Sequence, residues 1–277
     1  MQRFKFDFVG VGPQRTGSSW LYQMLQSHPS LCFPKNVKET MFFEKYYDRG
    51  LAWYAAHFNE RREGQLCGEI GSTYFDVEMA PERIHQLNPH CKIIINLRHP
   101  LQRAESLYRH ALSLGEVEGS FSNAVAQKPR IVEAGYYSRH LPRWLETFGR
   151  DRIFWILLED IQSQPDRVLK SIYDFLEIEA IELPDGAKGK INTATMPRFP
   201  LLAKIATQIA IYLRANRWHR VVELGKALGL RRVYTGSKTL PSLTLEEREE
   251  LFKLYQKEVE FVENLTRRSL PEWYKYK

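Results

Sequence analysis

The stretch "GVGPQRTGSSWLYQML", Gly10 to Leu25, decides the fold, because an apolar run leads into it and a helical pattern leaves it. Phe4 to Val11 alternates and then turns wholly apolar, as a strand entering a buried parallel sheet does. Ser18 to Ser27 then carries Trp20, Leu21, Met24 and Leu25 at helical spacing. A glycine loop between strand and helix puts free amides and the positive end of the helix dipole where an anion can sit. Gly12 and Gly17 are separated by four residues and Ser19 holds the hydroxyl position, as in a phosphate-binding P-loop, but Ser18 stands where that loop needs lysine. The loop's cation is Arg15, three residues earlier, which suits one phosphate-like group better than a metal-bound triphosphate. An ordinary tight turn is the competing reading.

The same plan recurs along the chain. "IIINL", Ile93 to Leu97, leads to Pro100 and a helical pattern through Leu112; "RIFWILL", Arg152 to Leu158, leads to Pro165 and the amphipathic "DRVLKSIYDFLEI". Strands alternating with helices predict a P-loop-like, three-layer α/β fold, a central and mostly parallel sheet flanked by helices, with the strand-to-helix loops gathered at one carboxyl edge. Gly135 to Phe148 reads as a helix with Tyr137, Leu141, Trp144, Leu145 and Phe148 on its core side. Thr244 and Glu247 form a capping box that opens a final helix turning Leu251, Leu254, Tyr255 and Val259 inward. No internal repeat interrupts this order, and a single domain over residues 1–277 is expected, with a basic helical insertion or lid around 199–234.

A net charge of +7 favours anionic partners, with the basic residues spread along the chain and not gathered in a tail. No recognition helix or aromatic-bearing binding sheet accompanies them, so nucleic acid is not expected as a partner. Cys32, Cys67 and Cys91 are odd in number and widely spaced, with no CxxC or HExxH pattern, so neither a disulfide framework nor a zinc site is expected and no metal is called for. Buried thiols in a reducing compartment are the simplest reading. "MQRFKFDFVGVG" runs straight into the first strand without a signal-peptide pattern, which predicts a cytoplasmic protein or a catalytic domain cut from something longer.

A second loop joins the first. In "LRHPLQRAESLYRH", Arg98 follows its strand directly and Ser106 lies eight residues on, a planar guanidinium fork and a hydroxyl suited to a phosphate. Together "RTGSSW" (Arg15–Trp20) and the Arg98/Ser106 pair resemble the two nucleotide motifs of the sulfotransferases that use 3'-phosphoadenosine 5'-phosphosulfate. "KETMFFEKYYDRGLAWYAAHF", Lys38 to Phe58, and "GEIGSTYF", Gly68 to Phe75, are similar to segments of the heparan-type and related carbohydrate sulfotransferases. The resemblance is fullest from Phe4 to about Ala111 and fades beyond Ile178. Two departures stand out: the usual lysine of the first motif is Arg15, which keeps a cation in place, and the histidine often found two residues beyond the base is Met41, which sets the acceptor machinery apart.

The resemblance implies in-line sulfuryl transfer from 3'-phosphoadenosine 5'-phosphosulfate to an acceptor hydroxyl, of a carbohydrate or glycolipid. It implies Arg15 at the oxygen of the leaving 5'-phosphate, Thr16, Gly17, Ser18 and Ser19 around that phosphate, Trp20 on the adenine, and Arg98 and Ser106 at the 3'-phosphate. Glu39 would be the general base, with Lys38 assisting the departing group and Glu69 the weaker alternative base. On the residues alone, pairing of Glu39 with Lys38 or Arg15 on a solvated loop is the preferred reading, and the resemblance reverses that preference. Lys188, Gly189 and Lys190 form a small basic loop able to close over the nucleotide, or an exposed turn. Phe199 to Tyr234 alternates apolar stripes with Arg214, Arg217, Arg220, Lys226, Arg231 and Arg232; a lid, a peripheral contact with an anionic membrane and plain core helices all fit it. Two further readings stay open: a small-molecule kinase with a degenerate P-loop, with Glu159 and Asp160 imitating a Walker B end, and a non-catalytic nucleotide- or polyanion-binding module.

Overall fold

The computed structural model describes residues 4–182, 199–228 and 239–275. The chain divides into two compact units, one built from residues 1–98 and 139–191, the other from 99–138 and 192–277.

The first unit contains the sheet. Its strands are β1 (Phe8–Gly10), β2 (Leu31–Cys32), β3 (Leu66–Ile70), β4 (Lys92–Leu97) and β5 (Ile153–Leu157), in the order β2-β3-β1-β4-β5. Every pairing among them is parallel. Helices α1 (Ser18–Leu25), α2 (Gly50–Ala55) and α3 (Ala80–Leu87) follow the first strands; α7 (Tyr137–Phe148), α8 (Leu158–Ser163) and α9 (Pro165–Leu176) bracket the last. Between α3 and α7 the second unit supplies α4 (Pro100–Ser113), α5 (Phe121–Gln127) and α6 (Arg130–Glu133), and after α9 it supplies α10 (Pro200–Ala215), α11 (His219–Ala227) and α12 (Leu245–Thr266).

β1 is the hinge of the topology. The chain passes from β1 to β2 and β3 on one side, then crosses to β4 and β5 on the other, so β1 lies between β3 and β4. That is a topological switch point, where the carboxyl ends of parallel strands open a crevice. In register, Val9 pairs with Glu69 on one side and Ile93 on the other. The loops after β1, β3 and β4 are therefore neighbours.

Apolar side chains on the strands and on α1 and α9 bind the layers, among them Phe8, Trp20, Leu21, Ile70, Ile94, Ile156, Leu169 and Ile172. In the second unit, Leu101, Leu107 and Ala111 of α4 pack with Phe121, Ile131, Leu251 and Tyr255. The expected capping box is made: Thr244 N donates to Glu247 Oε2 at 2.8 Å and Glu247 N to Thr244 Oγ1 at 3.1 Å. Leu251, Tyr255 and Val259 face inward as expected, but Leu254 is exposed, because the buried stripe runs 251, 255, 259 and 262 and leaves 254 on its flank.

Gly12 shows why the loop after β1 must contain glycine. A Cβ there would meet Asn96 O at 2.4 Å and Asn96 N at 2.5 Å, both rigid backbone of β4. Gly12→Ala should cost more than about 2 kcal/mol in denaturant unfolding, since neither strand can yield without breaking the ladder.

Candidate active site

The loop from Val11 to Gly17 wraps the carboxyl end of β1. Gly17, at φ 100°, starts α1 from the left-handed region, and Arg15 adopts φ 76° although it carries a side chain. Thr16 ties the loop internally, its Oγ1 donating to Pro13 O at 2.7 Å. The N-terminus of α1 has no side-chain cap and no acid in its first turn, which leaves its dipole uncompensated. Ser18 is buried and Ser19 exposed on that first turn.

Arg98 reaches the loop from the end of β4, where its Nη1 donates to Arg15 O at 3.2 Å. Burial, and then the positive field of Arg98, lower the pKa of Arg15. Arg98 held on the backbone of Arg15, with its charge felt by the Arg15 guanidinium, gives the switch point a positive field that an anion would stabilise. Asn96, 1% exposed on β4, has a buried amide nitrogen with no hydrogen-bond partner among the described residues, and this nitrogen lies beside Gly17. It is a further donor that the sequence reading did not single out.

A second line of contacts approaches from the segment after β2. Lys38 Nζ donates to Ser18 Oγ at 2.9 Å and to Glu39 Oε1 at 2.9 Å. Ser72 Oγ, in the loop after β3, donates to the same Glu39 Oε1 at 2.8 Å. Ser18, Lys38, Glu39 and Ser72 thus form one hydrogen-bonded series from the helix start to the β3 loop. Glu39 does pair with Lys38, as the simpler sequence reading expects, but both groups are more than half shielded from solvent.

Beneath this series lies Glu69, fully buried at the end of β3. Its Oε2 accepts from Thr40 N at 2.8 Å; its Oε1 accepts from Thr40 Oγ1 at 3.1 Å, Tyr54 OH at 3.0 Å and Tyr74 OH at 2.8 Å. Burial pushes its pKa up to about 7 against these donors, which pull it down. With four hydrogen bonds accepted and no exposure, Glu69 is placed to hold Thr40, the residue next to Glu39. Neither Thr40 nor the tyrosines carried any signal in the sequence.

The remaining expectations divide. Trp20 is buried in the apolar cluster with Leu21 and Met24, a packing position. Ser106 lies in the second turn of α4, in the second unit, half-buried. His99 caps α4, its Nδ1 accepting from Leu101 N at 3.1 Å. Glu159 and Asp160 sit in the first turn of α8 and not on β5. Lys188, Gly189 and Lys190 lie outside the described residues. Among the described residues no group of three or more His, Cys, Asp or Glu side chains could hold a metal ion.

Glu69 has a consequence for stability. Its folded pKa of about 7 lies above the ordinary 4.5, so the fold favours the protonated form: the contribution is complete below pH 4.5 and is lost as pH rises to 7. The loss should amount to about 3 kcal/mol across that window, and Glu69→Gln should remove this part of the pH dependence of thermal unfolding.

Residues 6–200 match the family described as the sulfotransferase domain. Over 189 residues the chain is 32% identical to a bifunctional heparan sulfate N-deacetylase/N-sulfotransferase 1 of Caenorhabditis elegans, covering 62% of this chain and 22% of that protein. Over 187 residues it is 30% identical to heparan sulfate glucosamine 3-O-sulfotransferase 6 of Mus musculus, covering 62% of this chain and 52% of that one. It therefore spans from about a fifth to about half of the length of these relatives. In fold, a sulfotransferase from Alicyclobacillus acidocaldarius superposes with a TM-score of 0.72 at 22% identity, over 98% of this chain and 100% of that one. With the matched region holding the glycine loop, Lys38, Glu39 and Arg98, the chain belongs to the sulfotransferase family.

Proposed function

We propose that the chain transfers a sulfuryl group from 3'-phosphoadenosine 5'-phosphosulfate to a hydroxyl of a carbohydrate or glycolipid acceptor. The observation that carries this reading is the hydrogen-bonded series Ser18–Lys38–Glu39–Ser72, which starts on the turn after the loop whose Arg15 carbonyl is held by Arg98. The carbohydrate acceptor is supported by the two heparan sulfate enzymes to which the chain is similar. Kinase chemistry is disfavoured by Ser18 in the lysine slot and by family membership.

The residues present fit such a donor: the uncapped start of α1, the Asn96 amide and the charges of Arg15 and Arg98 offer charge and donors to phosphate. The donor supplies an electrophilic sulfur on a phosphate leaving group. Thr16 keeps the loop in shape, the amides of Gly17, Ser18 and Ser19 cradle the 5'-phosphate, and Arg98 holds the 3'-phosphate, with Ser106 its companion in the sequence motif. Glu39 takes the proton of the acceptor hydroxyl as its oxygen attacks sulfur, and Arg15 and Lys38 neutralise the charge that grows on the phosphate oxygen as its bond to sulfur breaks. Lys38 touches both Ser18 and Glu39, so it links the group that receives charge to the group that receives the proton.

A peripheral contact with an anionic membrane is supported by a separate observation. Leu201, Ile205, Ile209 and Tyr212 of α10, Trp218, and Val221 and Leu224 of α11 are all exposed. Residues 199–228 carry Lys204, Arg214, Arg217, Arg220 and Lys226 against a single acid, Glu223. Exposed apolar side chains on a segment rich in basic residues suit an anionic lipid surface, which would bring the chain to a glycolipid acceptor. Among the described residues no helix is long and apolar enough to cross a membrane.

Isothermal titration with 3'-phosphoadenosine 5'-phosphate should give binding that Arg98→Ala weakens about 10- to 100-fold and that ATP with magnesium does not match. Glu39→Gln should bind the bisphosphate as wild type does while losing about 100-fold or more in turnover. Binding of ATP with magnesium alone would replace this reading with a kinase, and full turnover by Glu39→Gln would remove Glu39 as base. In flotation, vesicles containing phosphatidylserine should carry the protein upward and pure phosphatidylcholine vesicles should not; Ile205→Glu with Ile209→Glu should abolish the difference. Protein that stays at the bottom with both vesicles ends the membrane reading.

A further inference from the structure

Two of the three cysteines, far apart in sequence, are brought side by side by strand register. Cys32 on β2 and Cys67 on β3 are direct partners in a parallel pairing. Adjacent strands lie about 4.8 Å apart, so the two Cα atoms fall within the window of about 4.4–6.8 Å that a disulfide spans, and paired residues project to the same face. Cys32 Sγ donates to Phe33 O at 4.0 Å, and the Cys67 thiol is near enough to act on the ionisation of Cys32. Both are unbridged and buried, Cys67 completely and Cys32 at 7% exposure on the edge strand of the sheet. Cys91, fully buried at the start of the sheet's other half, is in neither pairing.

We propose that Cys32 and Cys67 form a reversible disulfide, a redox modification site independent of the reaction assigned to the chain. The two sulfurs have different parts. The neighbouring Cys67 thiol, with help from Arg61, draws the Cys32 thiol toward ionisation against the effect of burial, whereas the Cys32 sulfur beside it and burial hold the Cys67 thiol protonated. Cys32 is also the more exposed of the two, so it is the attacking thiolate and Cys67 the resolving thiol.

A small oxidant such as hydrogen peroxide suits a site this enclosed. The Cys32 thiolate attacks one peroxide oxygen; the O–O bond breaks, a sulfenic acid forms, and the departing hydroxide takes up the proton released by Cys32 to become water. Cys67 sulfur then attacks Cys32 sulfur, the S–O bond breaks, and the second hydroxide leaves with the Cys67 proton as water. Two thiols are oxidised by two electrons and one peroxide is reduced to two waters. The resulting ring encloses residues 33–66, the segment that carries Lys38 and Glu39, so the oxidised chain is cross-linked at the foot of that loop.

The test uses the wild-type chain, oxidised with hydrogen peroxide, alkylated under denaturing conditions and digested without reductant. The expected result is a peptide pair linked through Cys32 and Cys67, two hydrogens lighter than the dithiol, restored by dithiothreitol, with Cys91 alkylated in both states. Oxidised protein should melt about 5–10 °C above reduced protein, because closing a ring of this length restricts the unfolded chain. Cys91→Ser should keep both signals and Cys32→Ser should lose both. Alkylation of Cys32 and Cys67 after oxidation, a sulfinic acid at Cys32 without the cross-link, or links between separate chains would overturn the proposal.

Discussion

The Glu69 carboxylate is the constraint on which the site depends. A carboxylate with no exposure must be met by donors or it forces the fold to pay its full desolvation, and here four donors come from three separate parts of the chain. Tyr54 comes from α2, Tyr74 from the loop after β3, and Thr40 from the segment after β2. Satisfying one buried charge therefore fastens the irregular stretch from Phe33 to Tyr46 against the sheet. Phe42 and Phe43 add to it, since both are buried and each packs on the Tyr54 ring. Glu39, one residue before Thr40, inherits its position from a neighbour whose backbone is held on both its amide and its side chain.

The positive half of the site works by the opposite logic. Arg15 and Arg98 repel one another, and burial strengthens that repulsion. Their arrangement is kept by geometry: β1 and β4 are adjacent in register, and the Arg98 guanidinium donates to the Arg15 carbonyl, so the side chain of one holds the backbone of the other. An anion bound in that shared positive field would offset the repulsion, as in a preorganised electrostatic site.

Much of this was legible in the sequence, and the missing part has a physical pattern. The strands β1, β4 and β5 are apolar runs next to glycine or proline punctuation, which is why "FVGVG", "IIINL" and "RIFWILL" announced the parallel sheet and its loops. β2 has two residues and β3 contains Gly68 and Glu69, so neither offers a period to detect. Arg15 stood out as a charge between loop glycines and Arg98 as a charge directly after a strand, while Lys38 and Glu39 were singled out by the family resemblance. Asn96, Ser72, Thr40 and the two tyrosines were not, because their roles exist only through contacts that strand order creates. The same applies to Cys32 and Cys67, which look unrelated until β2 is laid beside β3. Leu254 shows the limit of helical periodicity: a stripe that drifts along α12 leaves a leucine outside it.

Arg15 brings a final consequence. A residue with a Cβ held at φ 76° sacrifices about 1 kcal/mol relative to glycine, and a charged side chain partly removed from water adds to that cost. A chain selected for stability alone would place glycine there, as it does at Gly17 two residues later. The strain is thus a record of a trade in which the fold is made weaker at one backbone position so that a cation projects from the tightest part of the loop.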